Sequence, residues 1–129
     1  MFHARRIPVL LAVSAAAVAM PLAAAVPAPA ATAVKPVPVY GTVGPGYTIT
    51  LKNAKGMKVT KLKAGKSYLF VIKDKSKIHN FHLKGPGFDK KTTVAQVVTV
   101  RWTIKPKAGT WTYVCDPHKA QMKGSFKVS

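Results

Sequence analysis

The sequence predicts an all-β domain, a sandwich or barrel of seven or eight short strands, preceded by a leader outside the fold. Three observations carry this. From about Val37 onward, apolar, aromatic and β-branched residues come in short runs bounded by Gly, Pro, Asn and Lys. No part of that region has the spacing of an amphipathic helix. The first three dozen residues differ in composition, being alanine- and proline-rich and nearly without charge after Arg6.

The leader begins Met1-Phe-His-Ala-Arg5-Arg6 and then runs apolar from Ile7 to Val26, broken by Pro8, Ser14 and Pro21. A basic start, an apolar middle and small-residue sites at Ala28-Pro-Ala30 and Ala31-Thr-Ala33 describe a secretory signal peptide. Residues 1–33 are therefore expected to be signal and leader, and 34–129 the functional domain. The competing reading is an uncleaved membrane anchor, which Pro8, Pro21 and the alanine-rich end disfavour. Val26 to Pro38, with Pro at 27, 29, 36 and 38, reads as a stiff extended linker.

The strands follow in order. Val37 to Val43 suits an edge strand, because Pro38 has no amide to donate, and Gly44-Pro45-Gly46 turns it. Tyr47 to Leu51 alternates, as does Met57 to Thr60, with Asn53 to Gly56 turning between them. Ser67 to Ile72 is almost continuously apolar or aromatic and should be central, ending in a charged turn from Lys73 to Lys77. Ile78 to Lys84 is closed by Gly85-Pro86-Gly87. Ala95 to Ile104, Thr110 to Cys115 and Gly124 to Val128 complete the set. Alternation assigns faces. Trp111, Tyr113 and Cys115 share one face, and Thr110, Thr112 and Val114 the other. His79, Phe81 and Leu83 share a face from which His82 points away, which makes His82 a surface or interface histidine.

The chain has 129 residues, and the formal net charge is +18, with 21 Lys and Arg against three acidic residues. Removing Arg5 and Arg6 with the leader leaves about +16. Such a charge suits nucleic acid, but the lysines are spread along the whole domain and only one Arg remains in it. Solubility and steering toward an acidic partner, or toward an anionic envelope surface, fit better. Cys115 is the only cysteine, so no disulfide forms within the chain. A solitary cysteine in an exported protein is a reactive thiol, an intermolecular bridge or a ligand.

The chemistry concentrates in Cys115-Asp-Pro-His118-Lys-Ala-Gln-Met122. Taken alone, Cys115 would more often be an inert buried thiol and Met122 a core residue. A thiolate, an imidazole and a thioether on one loop at a strand end are together the ligands that copper prefers. A fourth ligand must come from elsewhere. His79 is the better candidate and His82 the other. Two His, one Cys and a weak axial Met make the blue-copper pattern. Pro117 stiffens the loop, and a loop with little freedom limits geometric change between Cu(I) and Cu(II).

From about Val37 to Ser129 the chain resembles the plastocyanin/azurin group of cupredoxins, bacterial plastocyanin-like proteins in particular. The resemblance rests on His79-Asn80 in an apolar strand, on Tyr113-Val-Cys115-Asp-Pro-His118, and on Met122-Lys-Gly124 leading into Ser-Phe-Lys-Val. It implies a cupredoxin-like Greek-key β-sandwich holding one type 1 copper ion at one end, with His79, Cys115, His118 and Met122 as ligands. It further implies that Asn80 braces the two ligand loops through the residue after the cysteine, here Asp116. Three residues separate His118 from Met122, where plastocyanins usually have four and amicyanins two. Asp116 stands where small hydroxyl residues are frequent and puts a negative charge beside the site.

The expected function is an exported, monomeric, one-electron copper carrier, periplasmic, extracellular or envelope-associated, that meets a redox partner with an acidic docking surface. A copper carrier or buffer would have the same ligand set. An enzyme is not expected. Copper oxidases and nitrite reductases need a further centre built from several more histidines, and Pro117 and Met122 suit a Cys/His nucleophile poorly. A lysine-rich domain that binds acidic polymers is the remaining reading, and specific nucleic-acid binding is not expected.

Overall fold

The computed structural model describes residues 16–129 together with Pro8, Ala12 and Ser14. The basic start of the expected signal peptide, with Ile7, Val9, Leu10, Leu11, Val13 and Ala15 of its apolar run, lies outside the described residues. Residues 16–36 form no helix or strand, and among the described residues no helix is long and apolar enough to cross a membrane. Thr32–Ser129 makes one compact unit.

That unit is a two-sheet β-sandwich. One sheet has the order β2-β1-β4-β7, from Ile49–Asn53, Val37–Val43, Tyr68–Asp74 and Val98–Ile104. The other has the order β3-β9-β8-β5-β6, from Lys61–Leu62, Lys123–Val128, Gly109–Val114, His82–Gly85 and Phe88–Lys91. Only β1–β2, β5–β6 and β8–β9 are neighbours both in sequence and in a sheet. The other connections cross between sheets, as the Greek-key expectation requires. The one helical element among the described residues is a single 3₁₀ turn, Asp116–His118.

The inner faces meet in a continuous core. Val39, Leu51, Phe70 and Ile72 from one sheet face Leu83, Trp111, Tyr113 and Phe126 from the other, all essentially without solvent access. Phe81 stacks on Tyr113 with ring centroids 5.7 Å apart, and Trp111 on Phe126 at 6.0 Å. The Trp111 indole N–H is satisfied by the Lys107 carbonyl at 2.9 Å. The alternation read from Trp111, Tyr113 and Cys115 is thus the alternation observed.

Several boundaries differ from the sequence reading, each for a physical reason. β1 is central, paired antiparallel with β2 and parallel with β4. Pro38 is tolerated because pairing with β2 begins only at Val39, so no partner on that side requires its amide. β4 runs on through Asp74, which is buried, where a solvated turn was expected. Met57 to Thr60 makes only one isolated bridge, Lys52 to Lys58, and the paired segment is Lys61–Leu62. β7 begins at Val98 because Ala95 has a φ of 77°, which breaks an extended run. β6 was not foreseen. Its sequence, Phe-Asp-Lys-Lys, is an exposed edge strand with one apolar residue and no alternation to read.

Gly85, at the end of β5, lies flat against the Trp111 indole, and a Cβ there would clash with its ring atoms. Gly85→Ala is expected to cost about 1–3 kcal/mol through overpacking. The loss should be read as a lower urea midpoint at unchanged m-value.

Candidate metal centre

Two loops at one end of the sandwich build the site. The first follows β8. Its backbone is closed on itself by hydrogen bonds. The Cys115 N–H donates to the Met122 carbonyl at 2.9 Å, the His118 N–H to the Cys115 carbonyl at 3.0 Å, and the Met122 N–H to the His118 carbonyl at 2.9 Å. Pro117 sits inside the 3₁₀ turn, where its fixed φ is compatible and its missing N–H is no loss.

The second loop carries the chain from β4 in one sheet to β5 in the other, and His79 lies on it. The buried Asp74 carboxylate anchors it. One oxygen accepts the Ser76 N–H at 3.2 Å and the other accepts the Thr92 hydroxyl at 2.7 Å. The Thr92 hydroxyl oxygen in turn accepts the Phe81 N–H at 2.8 Å. One carboxylate therefore holds both ends of the His79 segment. The two loops are then locked together. Asn80 Nδ2 donates to Asp116 Oδ2 at 2.8 Å, and the Asp116 N–H donates to Asn80 Oδ1 at 2.7 Å.

This framework brings three donor atoms to one point. His79 Nδ1 and His118 Nδ1 are 3.0 Å apart, and Cys115 Sγ lies 3.7 Å from the first and 3.5 Å from the second. The circumradius of that triangle is about 2.0 Å, the length of a metal–imidazole bond. Two imidazole nitrogens and a thiol sulfur in mutual contact could all be ligands to a single cation between them. Two imidazoles and a thiol make a mixed borderline and soft set that suits copper. His79 and Cys115 are fully buried, and His118 is partly exposed.

The rings are positioned by packing. Tyr47, 57% exposed, meets both imidazoles edge-on, with centroids 5.2 Å from His79 and 4.9 Å from His118. Gly44, with φ of 70°, lies beneath His79, where a Cβ would sit 3.2 Å from the imidazole Cδ2 and 2.8 Å from Ser76 Cβ. His79 Nε2 is buried without a hydrogen-bond partner, so Tyr47, Gly44 and the buried surroundings fix that ring. Met122 is fully buried in the same core cluster as Cys115 and closes the loop through its backbone.

The local electrostatics turn on two carboxylates. Burial pulls the Asp116 carboxyl upward, but hydrogen bonds from His82 and Asn80 outweigh it and leave the group below its ordinary value. The Asp89 carboxyl is also held low, chiefly by its hydrogen bond from His82. His82 bridges the two, with Nδ1 2.8 Å from Asp116 Oδ1 and Nε2 2.7 Å from Asp89 Oδ1.

Of the four residues expected from sequence, His79, Cys115 and His118 converge through their donor atoms, and Met122 lies buried at the base of their loop. The Asn80 brace is present in both directions. Sequence reasoning missed Tyr47, Gly44, Asp74, Thr92 and the partners of His82. One signal was legible for Asp74, since an acidic residue is rare in this chain and this one ends an apolar strand.

A buried His-Cys-His triangle at one end of a two-sheet sandwich defines a mononuclear type 1, or blue, copper centre of the cupredoxin kind. Residues 37–129 match the family model of copper binding proteins, plastocyanin/azurin family, and the chain belongs to that family. Among solved structures it is similar to reduced rusticyanin, at 24% identity over 76% of this chain and 82% of that one, with a TM-score of 0.54. It is likewise similar to rusticyanin from Thiobacillus ferrooxidans, at 23% identity over 74% and 79%, with a TM-score of 0.53. No curated protein sequence matches the chain.

Asn80→Ala leaves the Asp116 N–H and one carboxylate oxygen without their partner. It is expected to destabilise the metal-free domain by about 1–3 kcal/mol in urea unfolding. Acid acts through the carboxylates. Asp116 and Asp89 titrate lower when folded than when unfolded, so their contribution is complete above the unfolded range of about 3.9 and is lost as pH falls through the folded values. The urea midpoint of the metal-free domain should fall below about pH 4, and Asp116→Asn should flatten that fall.

Proposed function

We propose that this chain is an exported one-electron carrier in which His79 and His118 bind copper through Nδ1, Cys115 binds through Sγ, and Met122 supplies a weak fourth contact. The single observation that carries this reading is the triangle of three donor atoms with sides of 3.0, 3.5 and 3.7 Å. Copper in such a site exchanges one electron between Cu(I) and Cu(II). The chain's own part is to keep its donors still. The Asn80–Asp116 bonds, the Asp74 anchor and the closed 115–122 backbone hold the ligand positions whatever the charge between them.

His118 and Tyr47 are the solvent-facing parts of the site, and they are where an electron partner would approach. The exposed Lys119 and Lys123 flank that approach, and the excess of lysine over the domain favours an acidic partner surface. Export is supported by the basic start and apolar run within residues 1–33, the signal and leader that precede the domain. A non-enzymatic role is supported by the histidine inventory. His82, the one domain histidine outside the triangle, is engaged by two carboxylates and is not free to found a second centre.

Cu(II) added to the purified protein should produce a strong visible thiolate-to-copper absorption that is absent in Cys115→Ser. The loaded protein should then be reduced and reoxidised by a respiratory or oxidase partner, with an association rate that falls steeply as salt is raised. Binding of zinc alone, or a pale tetragonal Cu(II) spectrum, would refute the assignment. A blue protein that exchanges no electrons but releases its copper to another protein would be a copper carrier.

A further inference from the structure

His82 is the residue that the structure treats most differently from the sequence reading. Its strand position faces away from the core, yet its side chain is only 14% exposed and both ring nitrogens rest on carboxylate oxygens. The contacts are 2.8 Å from Nδ1 to Asp116 and 2.7 Å from Nε2 to Asp89. The chain holds only three acidic residues against 21 basic ones. Two of the three meet on this one ring.

The bridge also leads somewhere. Asp116 follows Cys115 directly, and its other oxygen accepts from Asn80, which follows His79 directly. Asp89–His82–Asp116–Asn80 is thus a continuous hydrogen-bonded chain from the exposed β5–β6 hairpin to the backbone beside two proposed ligands. A neutral imidazole can donate to only one of its two carboxylates, and its lone pair would face the other at hydrogen-bond distance. The doubly protonated ring donates to both.

We propose that His82 is a positioning residue of the metal loop, whose ring, as an imidazolium, clamps Asp116 to the β5–β6 hairpin and offsets the carboxylate charge beside Cys115. The other groups around the ring are consistent with this. On β6, Asp89 is joined by Lys91, which stands opposite His82 in register. On β5, the strand of His82 itself, Lys84 Nζ lies 3.5 Å from the second Asp89 oxygen. On β8, the neighbour is the uncharged Val114. Beyond the 3₁₀ turn, Lys119 Nζ is 4.0 Å from Asp116 Oδ1.

The clamp is testable without metal, so its failure is distinguishable from failure of the copper assignment. In the metal-free chain near neutral pH, a two-bond ¹H–¹⁵N correlation spectrum should show both ring nitrogens of His82 protonated. In His82→Gln, the Asp116 amide that donates to Asn80 should exchange with solvent about tenfold faster. In the copper-loaded protein, which relies on the ligand assignment above, His82→Gln should have a lower reduction potential than the unsubstituted chain, because Asp116 is then uncompensated and favours Cu(II). A His82 ring with one bare nitrogen at neutral pH would overturn the proposal. So would unchanged Asp116 exchange, or an unchanged reduction potential, in His82→Gln.

Discussion

The reciprocal pair between Asn80 and Asp116 is the constraint on which the rest of the site depends. The donor atoms come from segments 36 residues apart and lie within 3.7 Å of one another. Apolar packing alone does not set such a register, because dispersion contacts are many, weak and non-directional. Two hydrogen bonds of 2.7 and 2.8 Å, one involving a carboxylate and the other a backbone N–H, are directional and strong. They join the residue after His79 to the residue after Cys115, so the loops move together or not at all. The sandwich supplies the foundation, since the second loop spans from one sheet to the other and the first is an outgrowth of β8.

The charge distribution follows the same logic. All three acidic residues work at the metal end. Asp74 anchors the His79 segment, Asp116 joins the loops, and Asp89 supports His82. Among the described residues every ion pair involves Asp89 or Asp116. The lysines elsewhere are consequently uncompensated and act together as a field, not as local cross-links. Surface ion pairs add little to stability, so their absence elsewhere costs the fold little. A field of one sign over the surface accelerates encounters with an acidic partner.

Much of this was legible because alternation is a local property. Trp111, Tyr113 and Cys115 could be placed on one inner face from spacing alone, as could Phe81 and Leu83, and the structure buries all five. The convergence of His79, Cys115 and His118 was legible because copper's requirements restrict residue type strongly and two of the three share a loop. Strand pairing is not local. Nothing in Val37 to Val43 says that β4 will add to it in parallel, and the proline that suggested an edge lies just outside the pairing with β2. Side-chain partners are less legible still. His82 looked like a surface residue because period-two reasoning assigns direction but cannot see Asp89 arriving from the next hairpin strand and Asp116 from the metal loop. Tyr47 was read as the first residue of a strand, and its ring contacts depend on the turn at Gly44-Pro45-Gly46 that folds it over the site.

The spacing from His118 to Met122 shows how backbone and site are coupled. Three intervening residues allow the Met122 N–H to reach the His118 carbonyl, which closes one helical turn. The Met122 carbonyl can then accept the Cys115 N–H, which returns the chain to the end of β8. One residue fewer or more would break one of these bonds, since a hydrogen bond does not survive a displacement of a whole residue. The side chain of Met122 is therefore delivered to the core beside Cys115 by the geometry of a turn, before any metal is present. A thioether placed in this way is held at a distance set by protein packing. That is what the weak fourth contact proposed for Met122 would require.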